Sequence, residues 1–196
     1  MNLPAQKAQL RRAFTGLGAE LEPSERERLS GAARELLLDQ AVWREAGAVV
    51  LYAPLPGEVD VWPLADKALR QGKRVALPWY DRRRDGYVPR LVKDLEGELR
   101  PGRYGIPEPA DRCPILQTNP LDLILVPGVA FDCRGRRLGR GKGYYDRMLR
   151  DTAGIKCGVA FDQQVVPAVP VAPHDIHLNC MLTPTRWLVF ERSVLE

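Results

Sequence analysis

A short segment rich in glycine and basic residues carries the clearest chemical signal in the sequence. Positions 137–143 read RLGRGKG, so that glycines alternate with Arg140 and Lys142. Because glycine has no Cβ, its backbone N–H group can approach an anion closely. A helix predicted to follow the segment would add the positive end of its dipole, and Arg and Lys would add full charges of different shape. This segment, here called the glycine loop, therefore predicts a site for phosphate groups.

The glycine loop differs from the two most familiar phosphate-binding motifs. A P-loop requires Ser or Thr directly after its lysine, whereas Gly143 follows Lys142. The dinucleotide-binding motif requires the spacing GxGxxG, whereas the glycines here are spaced GxGxG and no acidic ribose partner follows at the expected distance. A flexible charged turn would show the same residues, so the pattern alone leaves that alternative open.

The charges around the glycine loop also favour an anionic ligand. The formal net charge of the 196-residue chain is only +4, which is too small to indicate a nucleic-acid-binding protein by itself. Between Cys133 and Arg150, however, seven basic residues accompany a single acidic one, Asp146. Because the surplus is local, we expect an anion to bind there.

Two aspartates are candidate ligands for the magnesium ion that usually accompanies triphosphates. Asp146 lies one helical turn past the glycines, and Asp175 occurs in the segment PHDIH at 173–177. The sequence alone does not bring Asp175 near the loop. The two histidines, His174 and His177, have a spacing that could suit a metal on a helix, but no cysteine or third histidine completes the set. We expect ordinary structural or surface roles for both.

The cysteines and the apolar segments indicate the cellular compartment in which the protein is expected. The four cysteines form no CxxC pair, which is typical of free thiols in a reducing compartment. The first residues, MNLPAQKAQLRRAF, contain no apolar run of the kind found in signal peptides. No stretch approaches the roughly 20 apolar residues that a membrane span requires. We therefore expect a soluble, cytoplasmic protein, and its 45% of hydrophobic residues suffices for a core.

Three helices are predicted before the glycine loop and one after it. The first runs from Pro4 to about Leu17, and its Lys7 and Arg11 project from one face because they are four residues apart. Two like charges one helical turn apart repel each other mildly, so this pair suggests an anionic partner. A solvated basic face is nevertheless the more common explanation for such a pair. The second helix is predicted at 24–38 and begins with a capping box at 24–27. The third is predicted at 62–71 and ends before Gly72. The fourth follows the glycine loop and runs through Tyr145, Met148 and Leu149.

Apolar runs between the helices predict a mostly parallel sheet. Strands that alternate with helices form βαβ units, so we predict a three-layer αβα, Rossmann-like α/β fold that occupies residues 1–196 as a single domain. Ligands bind such sheets beyond the carboxyl ends of the strands, and the turn PLPG at 54–57 delivers Glu58 to that edge. The predicted strands are 48–53, 74–78, 87–92, 121–127, 156–161, 180–182 and 187–190, with a loop at 100–110.

These motifs together resemble one enzyme family. The segments VPGVAFD at 126–132 and RLGRGKGYYD at 137–146, with Gly135 between them, are similar to 5-formyltetrahydrofolate cyclo-ligase, also called methenyltetrahydrofolate synthetase. The run is long and specific, and further markers occur in the expected order along nearly the whole chain. Those markers are Lys7, Arg11, Glu58-Val59-Asp60, Gly105-Ile106-Pro107-Glu108-Pro109 and Pro173-His174-Asp175.

The resemblance implies an enzyme that uses ATP and magnesium to convert 5-formyltetrahydrofolate to 5,10-methenyltetrahydrofolate, with release of ADP and phosphate. A small-molecule folate is then the partner, and we expect neither nucleic acid nor a membrane as a partner and a monomeric chain. Phosphoryl transfer depends on positioning and charge neutralisation rather than on covalent help from the protein. Arg140 and Lys142 are therefore predicted to be the catalytic residues.

The resemblance also implies a ligand for each matching residue. Glu58 would hold the pterin ring, since a carboxylate can accept hydrogen bonds from the pterin's amino and ring N–H groups, whereas without the resemblance an exposed loop acid is favoured. Asp146 and Asp175 would bind magnesium. ATP would contact Lys7, Arg11, Arg137, Leu138, Gly139, Arg140, Gly141, Lys142, Gly143, Tyr144 and Tyr145. Folate would contact Arg11, Arg140, Gly141, Lys142, Gly143 and Tyr144 in addition to Glu58.

Two other functions fit the same residues without the resemblance. The first is a different ATP- or phosphosugar-using enzyme on a similar sheet, such as a sugar-phosphate isomerase. That isomerase would need a phosphate loop but no nucleotide, so that ATP binding distinguishes it. A nucleic-acid-binding protein would use the arginines, and its affinity would depend steeply on salt. The segment WYDRRRD at 79–85 is more basic than expected of the family, and contact with polyglutamate tails and the lack of any ligand are both open for it.

Overall fold

Helices and strands alternate along the chain. The computed structural model describes residues 2–120 and 122–190. Within them the α-helices are α1 (Leu3–Phe14), α2 (Pro23–Leu38), α3 (Ala41–Glu45), α4 (Trp62–Arg70) and α5 (Tyr144–Asp151). Short 3-10 helices lie at Leu17–Ala19, Arg103–Gly105 and Asp162–Gln164. In this described part of the chain, no helix is long and apolar enough to cross a membrane.

A seven-stranded sheet forms the centre of the molecule, in the order β11-β10-β9-β6-β1-β2-β3. The five strands from β10 to β2 run parallel, and antiparallel β11 and β3 close the two edges. This arrangement confirms the predicted mostly parallel sheet. The described strands are β1 (Ala48–Val50), β2 (Arg74–Asp81), β3 (Gly86–Val92), β4 (Leu99–Pro101), β5 (Pro107–Pro109), β6 (Leu123–Pro127), β7 (Ala130–Phe131), β8 (Arg137–Leu138), β9 (Ile155–Val159), β10 (Cys180–Leu182) and β11 (Trp187–Val189).

Strand residues alternate between two apolar cores, one on each face of the sheet. Leu123 and Leu125 pack in the first core, whereas Ile124 between them packs in the second. Helices α2, α3 and α4 bury their apolar residues in the first core. Helix α5 covers the second core through Met148 and Leu149. Helices therefore lie on both faces, as the three-layer prediction requires.

Helix α1 packs outside these two cores. Its Leu10 and Phe14 join a smaller apolar cluster with Ala130 of β7 and Leu138 of β8. This contact places the helix beside the β7–β8 hairpin, which leads into the glycine loop.

Two helix boundaries differ from the prediction for identifiable reasons. Helix α1 ends at Phe14 rather than Leu17, because Gly16 takes a left-handed φ of 94°. Helix α2 begins at Pro23 with Glu22 as its N-cap and no side-chain cap, so the capping box predicted at 24–27 was wrong. Proline's fixed φ and missing N–H suit the first helical position, and this start places Ser24 inside the helix.

The irregular middle of the chain contains more strand than predicted. The predicted loop at 100–110 was wrong, because β4 and β5 pair there as an antiparallel ribbon with Arg100 opposite Glu108. Strand β2 continues to Asp81 because β3 pairs with it as far as that residue. The strand predicted to start at Leu121 is described from Leu123, and Leu121 itself lies outside the described residues.

Candidate functional site

The glycine loop follows the carboxyl end of central strand β6. The β7–β8 hairpin comes directly after β6, and the loop begins with the two residues of β8 and leads to the start of α5. Gly141 (φ 103°) and Gly143 (φ 67°) take left-handed backbone conformations that strongly favour glycine. Gly143 is also the N-cap of α5, so the loop backbone meets the positive end of that helix. This local geometry suits an anion.

Two cavities share the glycine loop as a common wall. The basic cavity has a volume of about 360 Å³ and the apolar cavity a volume of about 300 Å³. Besides the loop, the basic cavity is lined by Lys7, Arg11, Asp146, Arg147, Arg150, His174 and Asp175. The apolar cavity is lined mainly by carbon-rich side chains, including Ala53, Leu55, Pro78, Tyr87, Ile106 and Pro127, together with Glu58.

The fold places every predicted site residue at one or both of these cavities. Lys7, Arg11, Leu138 and Asp175 line the basic cavity alone. Glu58, Arg140, Lys142, Tyr144 and Tyr145 line the apolar cavity alone. Arg137, Gly139, Gly141, Gly143 and Asp146 line both. The fold thus brings together residues from distant parts of the sequence, while their ligands remain predictions.

Helix α1 is fixed to the glycine loop by Arg11. The Arg11 Nε donates a hydrogen bond of 2.9 Å to the carbonyl oxygen of Gly139, although the two residues are 128 positions apart. A Cβ added to Gly141 would lie 3.4 Å from the Arg11 guanidinium carbon, so the loop and the side chain are in close contact. Arg11 therefore has a structural role, and it contributes positive charge to the basic cavity.

Lys7 and Asp175 form an ion pair in the basic cavity. The Lys7 Nζ donates a hydrogen bond to Asp175 Oδ2, and the same oxygen accepts one of 2.7 Å from the Ala172 amide. Burial alone would raise the pKa of Asp175, but the Lys7 ammonium and the Ala172 amide together lower it below the usual range. Asp175 is therefore anionic at neutral pH. His174 is 73% exposed, and its Nε2 lies 3.8 Å from Asp175 Oδ1.

Arg137, the first residue of the glycine loop, has a buried side chain that orients Asp146. Its side chain is only 3% exposed, and its Nη2 donates a hydrogen bond of 2.9 Å to Asp146 Oδ1. The Nη1 donates to the carbonyl oxygen of Pro127 at the end of β6, at 3.1 Å. The Nε is buried without a hydrogen-bond partner among the described residues. Arg137 thus links the sheet, the loop and the first turn of α5.

The carboxylates of the basic cavity fit a magnesium ion that is shared with phosphates. Asp146 and Asp175 line the same cavity, and Arg137 engages only the Oδ1 oxygen of Asp146. Magnesium is usually held by one or two carboxylates together with phosphate oxygens and several waters. Two carboxylates that line one cavity beside the glycine loop match the protein's part of such a site.

Glu58 is a largely buried acid in the lining of the apolar cavity, which also includes Glu108 and Asp146. Its side chain is 9% exposed, with Oε1 accepting a hydrogen bond of 3.0 Å from Arg140 Nη2. Its Oε2 accepts a second bond of 3.0 Å from the Leu55 amide in the turn that precedes it. Burial and then the charge of Glu58 raise the pKa of Tyr145 well above its usual value, so that this phenol stays neutral. Glu58 is held in one orientation by both bonds.

The turn that carries Glu58 is supported by a close backbone contact. A Cβ added to Gly18 would lie 2.0 Å from the carbonyl oxygen of Gly57 and 2.9 Å from the Phe161 ring. Such distances require the backbone of the turn to move. The contact between the 3-10 helix at Leu17–Ala19 and this turn therefore depends on glycine at position 18.

Gly18→Ala is expected to destabilise the protein by about 1–3 kcal/mol, because overpacking against backbone forces a local shift. Urea denaturation measures the change in midpoint at constant slope. Gly31→Ala is the matched control: its Cβ would meet only the end of Arg34 at 3.6 Å, and alanine within α2 should stabilise the helix by about 0.5–1 kcal/mol. Equal midpoints for Gly18→Ala and wild type would contradict the tight packing of this turn.

Four tyrosines form a cluster that the sequence analysis did not assemble. Tyr144 and Tyr145 of α5 meet Tyr80 and Tyr87 of the β2–β3 hairpin, with ring centroids 5.5 to 6.0 Å apart. Tyr87 lines the apolar cavity. These contacts form because the β2–β3 hairpin packs against α5, and no local sequence pattern predicts that packing.

Comparison with known proteins identifies relatives along almost the whole chain. A model of the 5-formyltetrahydrofolate cyclo-ligase family matches residues 4–184. The 5-formyltetrahydrofolate cyclo-ligase of Escherichia coli K12 is 34% identical over 170 residues, covering 85% of this chain and 93% of the relative. The enzyme of the same name from Mycolicibacterium smegmatis is 32% identical over 194 residues, covering 95% of this chain and 97% of the relative.

Solved structures share the same fold. The NMR structure of Aquifex aeolicus 5,10-methenyltetrahydrofolate synthetase has a TM-score of 0.83 at 34% identity, with 97% of this chain and 96% of that chain covered. The 5,10-methenyltetrahydrofolate synthetase from Mycoplasma pneumoniae has a TM-score of 0.69 at 21% identity, covering 94% of this chain and 99% of that chain. At that lower identity the likeness concerns the fold alone.

Proposed function

The chain belongs to the 5-formyltetrahydrofolate cyclo-ligase family, and we propose that it converts 5-formyltetrahydrofolate to 5,10-methenyltetrahydrofolate at the expense of ATP. One observation carries the finer part of this proposal: the glycine loop is a common wall between a basic cavity and an apolar cavity. A reaction that transfers a phosphoryl group from a nucleotide to a ring-containing substrate needs two such adjacent sites.

The apolar cavity is the proposed site of the folate rings. Glu58 lies in its lining with both carboxylate oxygens oriented, so it can accept hydrogen bonds from the amino group and a ring N–H of a pterin. A buried carboxylate requires such partners, and Arg140 supplies one of them here. Arg140 therefore connects the proposed pterin-binding acid to the glycine loop.

The basic cavity is the proposed site of the ATP phosphates. Lys7 and Arg11 of α1 contribute positive charge, and the glycine loop contributes backbone N–H groups and the positive end of α5. Asp146 and Asp175 would hold magnesium, which neutralises phosphate charge when bound. In the structure these two carboxylates pair with Arg137 and Lys7, and the lining of the cavity keeps a surplus of positive charge from Arg11, Arg147 and Arg150.

The proposed chemistry activates a poor electrophile. The formyl oxygen on N5 attacks the terminal phosphorus of ATP, and the bond between that phosphorus and the bridging oxygen of ADP breaks. N10 then adds to the formyl carbon and closes a five-membered ring. The former formyl oxygen leaves as part of phosphate, the N10 proton is released, and the product is the methenyl cation. The protein's part is positioning and charge neutralisation, the task assigned to Arg140 and Lys142.

Appearance of methenyltetrahydrofolate absorbance tests the proposal directly. We expect the absorbance to rise when purified protein is mixed with 5-formyltetrahydrofolate and Mg-ATP. We expect no rise when ATP is omitted or when a chelator removes magnesium. Product formation without ATP, or none with the complete mixture, would contradict the proposed reaction.

The cellular setting follows from the same proposal. The four cysteines are free thiols, and Cys133 is the exposed one. Free thiols suit the reducing conditions of the cytoplasm, where we place the enzyme. We further propose that the chain acts as a monomer, since both cavities are built from residues of one chain.

Glu58→Gln is expected to weaken folate binding by about tenfold to a hundredfold, because a hydrogen bond to a charged group contributes about 1.5–3 kcal/mol. The amide keeps the size of the side chain but loses the charge and one acceptor. ATP affinity should change by less than about threefold, because Glu58 does not line the basic cavity. Titrations of the variant with each ligand measure the two dissociation constants. If the variant binds ATP more weakly but folate normally, the assignment of Glu58 to the folate site is wrong.

A further inference from the structure

Arg147 of α5 contacts both the proposed nucleotide site and a segment outside it. Its side chain lines the basic cavity and is 39% exposed. The same side chain reaches the tip of the β2–β3 hairpin, which lies 62 positions earlier in the sequence. The proposed reaction gives Arg147 no task, since the glycine loop with Lys7 and Arg11 supplies the charge for the ATP phosphates.

Two nitrogens of the Arg147 guanidinium hold the hairpin tip. Nε and Nη2 both donate hydrogen bonds to the carbonyl oxygen of Asp85, at 3.1 and 2.5 Å. Asp85 has a φ of 45°, a left-handed conformation that is disfavoured for residues other than glycine. A turn of this kind depends on outside contacts to keep its shape. The two bonds from Arg147 are one such contact, and the Tyr80 hydroxyl, which donates to Asp85 Oδ1, is another.

The third nitrogen of the same guanidinium faces the glycine loop. Nη1 makes no hydrogen bond with any described residue. A Cβ added to Gly143 would lie 3.3 Å from this nitrogen, so Nη1 lies beside the N-cap of α5. The positive end of that helix is where a phosphate is expected to bind. The N–H groups of Nη1 can therefore donate to a phosphate oxygen while Nε and Nη2 stay on the hairpin.

The hairpin forms one wall of the apolar cavity. Pro78 of β2 and Tyr87 of β3 lie in its lining, and the Tyr87 and Tyr144 ring centroids are 5.6 Å apart. The Arg147 guanidinium carbon lies 5.1 Å from the centre of the Tyr144 ring. Gly86 is buried, and a Cβ added there would lie 3.5 Å from Arg147 Nε, so the start of β3 packs closely against this side chain. Movement of Arg147 would therefore disturb the hairpin wall of the proposed folate site.

We propose that Arg147 is a positioning residue through which nucleotide binding and folate binding strengthen each other. This inference rests on the proposed function. A phosphate oxygen at the glycine loop accepts hydrogen bonds from Nη1 and fixes the guanidinium, while Nε and Nη2 hold the hairpin wall of the apolar cavity. Toward the folate, Arg147 acts only through the hairpin and Tyr144. The ligand that binds first orders Arg147, so the second ligand loses less conformational entropy on binding.

Binding measurements on the purified protein test this coupling. The probes are 5-formyltetrahydrofolate and the β,γ-imido analogue of ATP with magnesium, which does not transfer its terminal phosphoryl group. Titration calorimetry gives the dissociation constant of each ligand alone and with a saturating amount of the other. For wild type we expect each ligand to bind about fivefold to twentyfold more tightly when the other is present, and this coupling factor must be equal in both directions.

Two substitutions of Arg147 separate its charge from its geometry. Arg147→Ala removes both, so the coupling factor should fall below about twofold. Arg147→Lys keeps the charge, but a single ammonium group cannot replace a planar fork that donates in two fixed directions. It should bind the ATP analogue alone within about threefold of wild type, while its coupling factor also falls below about twofold. Thermal unfolding of both variants measures any loss of stability.

Arg150→Ala is the matched control. Arg150 lines the same cavity about one turn further along α5, and its Nη2 donates a bond of 3.5 Å to the His174 carbonyl oxygen rather than to the hairpin. The variant removes the same charge from the same cavity, so it should weaken binding of the ATP analogue but keep the wild-type coupling factor. If Arg147→Ala and Arg150→Ala lower the factor equally, the effect comes from the net charge of the cavity and the proposal for Arg147 is wrong.

The remaining outcomes distinguish this inference from the proposed function. Independent binding of both ligands to wild type would overturn the coupling and leave the proposed function intact. Lower stability with an unchanged coupling factor in Arg147→Ala would assign Arg147 a structural role alone and overturn the inference. The wild-type factor in Arg147→Lys would overturn the role given to the guanidinium fork. Failure of wild type to bind either ligand would overturn the proposed function and the coupling with it.

Discussion

Lys142→Ala is expected to lower kcat about a hundredfold while the protein stays folded. Lys142 is exposed in the glycine loop and makes no hydrogen bond or ion pair with any described residue. Its charge is therefore available to a ligand, and removing a preorganised charge that stabilises a phosphoryl transition state costs about 3 kcal/mol. The same exposure means that the alanine variant loses no packing. Single-turnover rates of methenyl product formation, together with thermal unfolding, measure both effects.

Two control variants sharpen the Lys142 experiment. Lys93→Ala removes an exposed lysine at the end of β3, outside both cavities, and should retain wild-type kcat. Lys142→Arg keeps the charge with a different shape and should fall between the wild type and the alanine variant. A folded Lys142→Ala protein with wild-type kcat would remove Lys142 from the phosphoryl-transfer step.

The sequence predicted the parts of the site that lie in one continuous segment. The alternation of glycines with Arg140 and Lys142 is a local pattern, and the left-handed φ angles of Gly141 and Gly143 are the physical reason for it. The sheet and the ligand-binding edge at the carboxyl ends of its strands could be predicted as well. Short apolar strands that alternate with predicted helices are compatible with only a few chain topologies. Both predictions required only patterns within short, continuous segments of the sequence.

Contacts between distant segments were beyond such reasoning. Asp175 meets Lys7 across 168 positions, and the family resemblance alone suggested a shared site. The contact between Gly18 and Gly57 gives no local signal, since it depends on how two turns pack. Glu108 lies in the segment predicted to be a loop, but pairing of β4 with β5 buries it, and it accepts hydrogen bonds from two backbone amides.

The capping-box error has a local cause. Ser24 and Glu27 have the spacing of a capping box, yet the helix begins one residue earlier because Pro23 occupies the first helical position. Glu27 instead forms an ion pair of 2.6 Å with Arg34, in which the Glu27 side chain is exposed and the Arg34 side chain is largely buried. Two local rules competed here, and the fixed φ of proline decided the outcome.

Asp146→Asn is expected to raise the magnesium concentration needed for half-maximal activity about tenfold, because asparagine keeps an oxygen ligand but loses the charge that attracts a divalent cation. Asp175→Asn should shift the requirement in the same direction. Added magnesium should partly restore activity in both variants. Magnesium titrations of ATP affinity provide a second readout that does not depend on turnover.

Asp146 has a structural partner, so the metal effect must be separated from a folding effect. Its Oδ1 accepts a hydrogen bond from Arg137, whose side chain is 3% exposed, and the neutral amide leaves that buried guanidinium without a counter-charge. We therefore expect Asp146→Asn to lose about 1–3 kcal/mol of stability as well. A purely structural role, or a role as a charge partner of the helix dipole, predicts lower stability with an unchanged magnesium titration.

Asp151→Asn is the control that distinguishes these roles. Asp151 is an exposed carboxylate at the far end of α5, so this variant removes the same charge from the same helix away from the basic cavity. It should show the wild-type magnesium requirement and, since a negative charge is unfavourable at a helix carboxyl end, no loss of stability. If Asp146→Asn and Asp175→Asn give the same magnesium curve as Asp151→Asn, neither aspartate binds the metal. If only Asp146→Asn shifts the curve, the ion is held at the first turn of α5, and Asp175 serves to pair Lys7.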